Sequence, residues 1–362
     1  MVRRLIFVFF IFWSGQVSAQ TKKVLLEEFT GTYCGQCPLG THYVDSMLAL
    51  YPNLVSVALH SYSLYDAMNF LQIDTINTTY TQGAPLAAID RICPGSSSDQ
   101  TAVFVNQWNT EIQQRLSVPA LLTLSVIPSW NASTRNITAQ VSINIVSNMS
   151  AGDYRLSLYV VEDSVTGIGA GYDQENFYDT DASSPFYGMG NPIVGFVHKH
   201  VARALLSSSW GLQGLIPSAP TTGQNFNHAF NYTLPALYDE SQVHLVAFVY
   251  KFTANHIGDE VLNVTEENLL QSPAAVFNNE PGGNEIAVVN NQIQILDFGF
   301  RILNVEIYDT AGKKVLSQPP TSNFKPQAVT IDISPLESGI YFYKIISEEK
   351  RMYSGKIMVS KI

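Results

Sequence analysis

KVLLEEFTGTYCGQCPLG, residues 23–40, decides the fold of the N-terminal part of this chain. The apolar run at 24–26 predicts a strand, a Thr-Gly-Thr break follows it, and the segment that opens at Cys34 has helical spacing. Two cysteines separated by two residues at a helix N-terminus can close a small disulfide. The helix dipole and the free amide groups there stabilise a thiolate, so Cys34 is the candidate nucleophile and Cys37 its resolving partner.

This stretch resembles the thioredoxin-like domains in more than its two cysteines. In that family an acidic residue is buried in the strand before the first cysteine, and a cis-proline from a later strand faces the disulfide. Glu28 and Pro85 fall where these residues would be, and Tyr33 supplies the aromatic residue directly before the first cysteine. The resemblance implies a catalytic site of the two cysteines with Glu28 and Pro85, in which Glu28 accepts a proton from Cys37.

A longer stretch of the sequence resembles a narrower family. The sequence LLEEFTGTYCGQCPLG at 25–40, followed by GAPLAAIDR at 83–91, is similar to the outer membrane protein 28 family of Bacteroidota. That resemblance implies a protein associated with the cell surface. It also implies a binding or adhesin-like role toward a surface ligand or protein partner that the sequence does not identify.

Composition and the N-terminus predict an exported globular protein. The chain has 362 residues, of which 46% are hydrophobic and 14% charged, so it can form large cores in more than one domain. Residues 1–19 are predicted to be a signal peptide, with two arginines, a short apolar run and a small-residue cleavage site. No later apolar run has the length of a transmembrane span. The net charge of −10 disfavours nucleic acid as a partner.

The predicted fold class is multidomain, α/β plus all-β. Alternating strands and helices at 20–118 predict a thioredoxin-like domain, although Cys93-Pro94-Gly95 interrupts the place of its last hairpin and a helix is expected from 98 to 116. Short apolar runs at 119–271 predict an antiparallel β-sandwich. Within it, residues 166–195 are too long for a turn and are expected to be either a binding loop or a covering flap.

A separate C-terminal domain is also expected. Residues 272–288 are predicted to be a linker rich in proline and glycine, and residues 289–362 a small C-terminal β-sandwich. The sequence of this tail resembles the type A C-terminal sorting domain of the type IX secretion system. An ordinary terminal β-domain is the alternative. The resemblance implies the type IX secretion machinery as a partner and export to the outer membrane, the cell surface or the extracellular space.

The residues leave the role of the disulfide open. No Lys, Arg or His stands within or next to the CGQC turn, and Glu27 and Glu28 would oppose a thiolate if charged. Only the helix dipole would then activate Cys34. A binding protein with a structural disulfide is therefore favoured, and a thiol-disulfide oxidoreductase is the alternative. A structural protein with neither ligand nor chemistry is a third interpretation. No cofactor is predicted. Cys93 is expected to lie outside the pair, because extended chain carries it away from Pro85. It is interpreted as a buried thiol, with an intermolecular bridge as the alternative.

Two histidines suggest a metal only weakly. His198 and His200 lie in a strand-like run, so both imidazoles would project from the same face and could bind a metal ion. His228 or His244 could supply a third ligand. Zinc sites need three or four ligands, so the pair is interpreted as half-exposed histidines of the sandwich and no metal is predicted.

Overall fold

The structure is a computed structural model that describes residues 22–61, 65–81, 83–94, 101–270, 285–289, 292–296, 302–309, 312–318, 328–347 and 352–359. It divides into two compact units, residues 1–270 and 271–362. The predicted signal peptide, the predicted helix start at 98 and residues 272–284 of the predicted linker lie outside the described residues.

In the described residues of the first unit, three helices and eleven strands follow one another. They are β1 (Val24–Thr30), α1 (Cys37–Leu50), β2 (Leu54–His60), α2 (Leu71–Tyr80), β3 (Leu86–Ile89), β4 (Ala102–Phe104), α3 (Val105–Leu116), β5 (Leu122–Asn131), β6 (Asn136–Ile145), β7 (Asp153–Glu162), β8 (Val201–Leu205), β9 (Asn225–Thr233), β10 (Val243–Phe252) and β11 (Glu260–Asn268).

The first part of this unit has the expected α/β pattern. β1 pairs in parallel with β2 and antiparallel with β3, and β3 pairs antiparallel with β4. The hairpin that Cys93 was expected to interrupt is therefore present, formed by β3 and β4. Because residues 102–104 pair with β3 as a strand, α3 begins at Val105, later than the sequence suggests.

Strand β1 is buried along its whole length because helices and sheet cover both of its faces. Val24 and Leu26 pack in the cluster that includes Val44 of α1 and Trp108 of α3. Leu25 and Phe29 alternate with them and pack in the cluster formed with α2 and β10. Since side chains of a strand alternate between faces, the adjacent Glu27 and Glu28 point to opposite sides.

One sheet continues beyond the α/β part. Its strand order is β11-β10-β7-β8-β2-β1-β3-β4, and β8 joins β2 in parallel at the pair Ala58 and Val201. A second sheet, β5-β6-β9, shares an apolar core with β7 and β10. The two facing sheets have the layers of the expected sandwich. The predicted division between 118 and 119 falls inside one compact unit, and separate domains there remain a prediction.

The second unit is all β in its described residues. Its strands are β12 (Glu285–Val289), β13 (Gln292–Leu296), β14 (Ile302–Tyr308), β15 (Lys314–Gln318), β16 (Ala328–Asp332), β17 (Gly339–Ser347) and β18 (Met352–Val359). They form the sheets β12-β13-β16 and β15-β14-β17-β18, which contribute to one core that contains Ile293, Val305 and Ile345. β12 begins inside the predicted linker. In both units, none of the described helices is long and apolar enough to cross a membrane.

Candidate redox site

Cys34 and Cys37 form a disulfide at the N-terminus of α1. Their Cα atoms lie 5.3 Å apart, and the amide of Cys37 donates a hydrogen bond to the carbonyl of Cys34. Both residues are buried, with 5% of Cys34 and 1% of Cys37 exposed. Cys93 lies outside the disulfide as expected, but it is partly exposed where the sequence predicted a buried thiol.

Glu28 lies behind this turn. It is 2% exposed, and its Oε1 atom has no hydrogen-bond partner among the described residues. A Cβ atom added to Gly40, one helical turn after Cys37, would lie 2.6 Å from that oxygen and 2.8 Å from Cβ of Pro85. Glu28 and Pro85, which follows a cis peptide bond, therefore meet at the first turn of α1. Burial raises the pKa of Glu28 to about 8, and Asp45 acts in the same direction.

Glu27 has the opposite surroundings. Arg91 donates hydrogen bonds of 2.7 and 2.6 Å to its carboxylate, and the hydroxyl of Tyr159 donates a third of 2.8 Å. The guanidinium of Arg91 also lies 4.8–5.3 Å from the ring centroids of three aromatic residues, Tyr80, Phe248 and Tyr250. Glu27 is thus neutralised on the far face of β1. The expectation that Glu27 would oppose a thiolate at Cys34 is wrong. The alternation of side chains along β1 already indicated that Glu27 and Glu28 point to opposite faces.

Residues 166–195, named here the covering segment, lie over the CGQC turn. Nε2 of Gln174 is within 2.9–3.2 Å of four backbone carbonyls, those of Gly31, Thr32, Cys34 and Glu175. The amide of Phe177 donates to the carbonyl of Gly35 at 2.8 Å, and the Phe177 ring fills the space where a Gly35 side chain would begin. Of the two alternatives for this segment, these contacts correspond to a covering flap.

Gln174→Ala is expected to speed reduction of the disulfide by a small dithiol about tenfold, because two donated hydrogen bonds worth about 0.5–1.5 kcal/mol each no longer hold the segment closed. Thiol alkylation and mass spectrometry of the native protein, sampled over time, would give the rate. Gln114→Ala, at an exposed glutamine of α3, is the matched control and should leave the rate unchanged. Equal rates for both variants would contradict the covering role of Gln174.

A groove of about 510 Å³ opens beside the turn. Its walls include Gln36, the exposed residue between the two cysteines, and Pro85. Leu39, Leu86 and Phe104 give it apolar surface, and Phe104 is 62% exposed. An apolar segment of another polypeptide could therefore approach the cysteines from this side.

His198 and His200 do not share surroundings. Nε2 of His198 lies 2.8 Å from the carbonyl of Tyr172, and its ring packs on that of His60 at 5.0 Å. Burial lowers the pKa of His198 to about 4, and His60 adds to this effect. His200 lies beside Asp163 instead. The expected common face is wrong, because β8 begins only at Val201 and His200 has a positive φ of 55°.

The two other histidines considered as third ligands also differ. His228 lies on β9 of the three-stranded sheet, where its ring packs on Phe230 at 4.5 Å. His244 lies on β10 and its ring is 6.4 Å from that of His200. Burial lowers the pKa of His200, against the opposing influence of Asp163. His244 is therefore the histidine that the fold brings to His200.

Comparison with protein-family models identifies the chain. The model of outer membrane protein Omp28 matches residues 73–272, more than half of the sequence. The chain belongs to the Omp28 family. A second model, the secretion system C-terminal sorting domain, matches residues 289–360. The predicted family and the predicted type IX sorting tail are confirmed. This Omp28 protein is thus exported to the outer membrane or cell surface, and its tail interacts with the secretion machinery.

Solved structures resemble the chain at low sequence identity. HBP35 of Porphyromonas gingivalis is 15% identical with a TM-score of 0.54, and the match covers 94% of this chain and 99% of that one. A protein of Agrobacterium tumefaciens is 10% identical with a TM-score of 0.44, over 70% of this chain and 98% of that one. A domain of the outer membrane lipoprotein Omp28 of Porphyromonas gingivalis is 16% identical with a TM-score of 0.25. That match covers 42% of this chain and 92% of the other.

The likeness to HBP35 shows a shared fold and nothing further. No protein of curated function matches the sequence. The Omp28 model begins at residue 73, after the CGQC turn. Family membership therefore assigns no role to Cys34 and Cys37, and their role has to be argued from the geometry of the site.

Proposed function

We propose that this Omp28-family protein is a thiol-disulfide oxidoreductase of the outer membrane or cell surface, with its site at Cys34 and Cys37. The observation that carries the proposal is the carboxyl group of Glu28, which is buried against the first turn of α1 and has no partner for Oε1 within the described part of the chain. A buried polar group without a hydrogen bond lowers stability. A structural disulfide has no use for such a group, whereas disulfide exchange requires a proton donor and acceptor.

The arrangement of the elements supports the same proposal. The strand order β2-β1-β3-β4, with the cysteines at the N-terminus of α1, resembles the arrangement of a thioredoxin-like domain. The resemblance in sequence assigned roles to Glu28 and Pro85, and both residues lie against the first turn of α1. Two residues distant in sequence thus lie at the helical turn that follows the cysteines, and this supports the proposal.

The reaction begins from the disulfide present in the structure. A thiolate of a partner attacks Sγ of Cys34, a mixed disulfide forms, and the electron pair of the broken bond passes to Sγ of Cys37. Glu28, with a pKa of about 8, is mostly protonated at neutral pH and gives its proton to the Cys37 thiolate. A second partner thiolate then attacks the mixed disulfide and releases Cys34 as a thiolate. Two electrons have passed from the partner dithiol to the cysteine pair.

In the reverse direction the reduced pair gives these two electrons to a partner disulfide. Cys34 attacks as the thiolate, and Glu28 as the carboxylate accepts the proton of Cys37. In either direction the covering segment is expected to open for full access, because both cysteines are buried and the segment lies against the carbonyl of Cys34. The exchange activity is therefore expected to follow the rate at which that segment opens.

The apolar groove supports a second candidate, the binding or adhesin-like role. A groove of about 510 Å³ with the exposed ring of Phe104 on its wall could hold a side chain of a surface partner without any chemistry. In that case the disulfide only holds the groove in shape. The two candidates agree on export and differ in what Glu28 does.

Insulin reduction by mature protein, residues 20–362, tests the proposal. Turnover in the presence of a dithiol is expected, Cys34→Ser should abolish it, and Glu28→Gln should slow it at least tenfold, since proton transfer contributes about 10²–10⁴ in rate. The reduction potential of the pair should lie between about −270 and −120 mV, the range of exchange proteins.

A binding role predicts the opposite reduction potential and no turnover. A potential below about −300 mV marks a disulfide that resists reduction, as structural bridges do. That value, together with no turnover that depends on Cys34, would overturn the oxidoreductase proposal in favour of a binding protein.

A further inference from the structure

Four titratable side chains converge at one end of the eight-stranded sheet. Asp163 directly follows β7, and His200 directly precedes β8. His244 is the second residue of β10, and Glu266 lies near the end of β11. These four strands are consecutive in the order β11-β10-β7-β8, so their ends lie side by side. The sheet itself therefore fixes where these side chains are.

Three of them present ligand atoms to one another. One ligand atom each of Asp163, His200 and His244 lies within 4.8 Å of the other two. Oδ1 of Asp163 is 3.4 Å from Nδ1 of His200, and Oδ2 is 3.7 Å from Nδ1 of His244. Two ligands that are each about 2.0–2.1 Å from a tetrahedral zinc ion lie about 3.4 Å apart. Small side-chain rotations would thus bring all three ligand atoms to bonding distance.

Neighbouring groups hold the three side chains with their ligand atoms directed toward one another. The amide of His200 donates a 2.7 Å hydrogen bond to Oδ1 of Asp163, which positions the carboxylate. His244 is 4% exposed, and its Nδ1 faces Asp163. Its other nitrogen, Nε2, lies 2.9 Å from Oε1 of Glu266 and has no hydrogen bond in the described residues, so the small rotation that brings Nδ1 to an ion can also align Nε2 with this carboxylate. A carboxylate on the second nitrogen of a histidine is typical of metal ligands.

We propose that Asp163, His200 and His244 bind a divalent transition-metal ion, with Zn²⁺ as the best fit, and that Glu266 orients His244. Two imidazole nitrogens and one carboxylate oxygen suit zinc and its neighbours, whereas Ca²⁺ and Mg²⁺ prefer oxygen ligands alone. The side chain of Asp163 is 34% exposed, so solvent reaches the site and can supply a fourth ligand. The site is independent of the redox role proposed above.

Calorimetric titration of untagged, chelator-treated mature protein with Zn²⁺ tests the site. One equivalent is expected to bind. His200→Asn and Asp163→Asn should each lower the affinity about 100-fold or more, and Glu266→Gln about 10–100-fold, the usual cost of losing the carboxylate on a ligating histidine. His228→Gln, which changes a histidine of the other sheet, is the matched control and should bind as the unchanged protein does. The visible spectrum of the Co²⁺-loaded protein gives a second readout of tetrahedral nitrogen and oxygen ligation.

Separate titrations with Fe²⁺, Ni²⁺ and Ca²⁺ identify the ion. Zn²⁺ binding more tightly than Fe²⁺, with Ca²⁺ weaker than both, supports the proposal. Circular dichroism of each metal-free variant must match that of the unchanged protein, so that lost binding reports lost ligands. Absence of zinc binding, unchanged affinity in both His200→Asn and Asp163→Asn, or Ca²⁺ binding as tight as Zn²⁺ would overturn it.

Discussion

Glu27→Ala is expected to lower the free energy of unfolding by about 3–5 kcal/mol, because it leaves the charge of Arg91 buried without its partner. Both side chains are 0% exposed, and the guanidinium reaches the carboxylate at 2.6 Å. The remaining contacts of Arg91 are with three aromatic rings and, at 3.4 Å, with the hydroxyl of Tyr159, and none of them replaces a carboxylate. Urea unfolding of the mature protein at neutral pH, with the disulfide intact, would measure the change.

The double change Glu27→Met with Arg91→Met is the control for this experiment. It removes both charges and fills most of the space, and buried ion pairs replaced in this way often cost little stability. The double variant should therefore be more stable than the single one. A loss below about 1 kcal/mol in Glu27→Ala is what an exposed pair gives, and it would contradict the buried pair described here.

Glu28→Gln is expected to make the protein more stable at neutral and alkaline pH. The folded-state pKa of Glu28 is raised to about 8 from 4.5, so the folded protein holds a proton that the unfolded chain releases. The unchanged protein therefore loses stability as the pH rises from about 4.5 to about 8, and glutamine, which does not titrate, removes this loss. One pKa unit is worth about 1.36 kcal/mol, which gives a gain of about 3 kcal/mol at pH 7 and almost none at pH 4.

Unfolding free energies of both proteins at several pH values between 4 and 8 provide the measurement. Gln114→Ala, at an exposed position of α3 without a titratable group, should keep the pH dependence of the unchanged protein. A difference between Glu28→Gln and the unchanged protein that stays constant across this range would mean that Glu28 ionises normally in the fold. The same variant is expected to be slower in disulfide exchange, so stability and activity should change in opposite directions.

The sequence predicts best what lies close together along the chain. The disulfide of Cys34 and Cys37 and the helix that begins at Cys37 depend on neighbours within a few residues. The opposite directions of Glu27 and Glu28 also follow from a strand pattern, once residue alternation is applied to it. In contrast, Arg91 reaches Glu27 from a turn in which residues 90 and 91 have positive φ. The spacing of hydrophobic residues in the sequence does not indicate such a turn.

The motif GAPLAAIDR shows that resemblance to a family can identify residues without explaining what they do in the fold. Asp90 accepts a hydrogen bond from the amide of Leu25 and pairs with Lys22 at 2.9 Å and Arg115 at 2.8 Å. The motif was recognised in the sequence by resemblance, but its charges belong to two buried networks whose other members lie far away in the chain. The Asp163, His200 and His244 cluster was missed in part for the same reason, since its ligands come from separate strands.

The covering segment also constrains the order in which the molecule is assembled. Gln174 contacts the carbonyl of Cys34 across 140 residues of sequence, so the turn stays uncovered until the chain through β7 and beyond has folded back on it. Any oxidant that makes the Cys34–Cys37 bond must act in that interval or wait for the segment to lift. Oxidation during export then needs no opening of the segment, whereas every later exchange of electrons by the folded protein does.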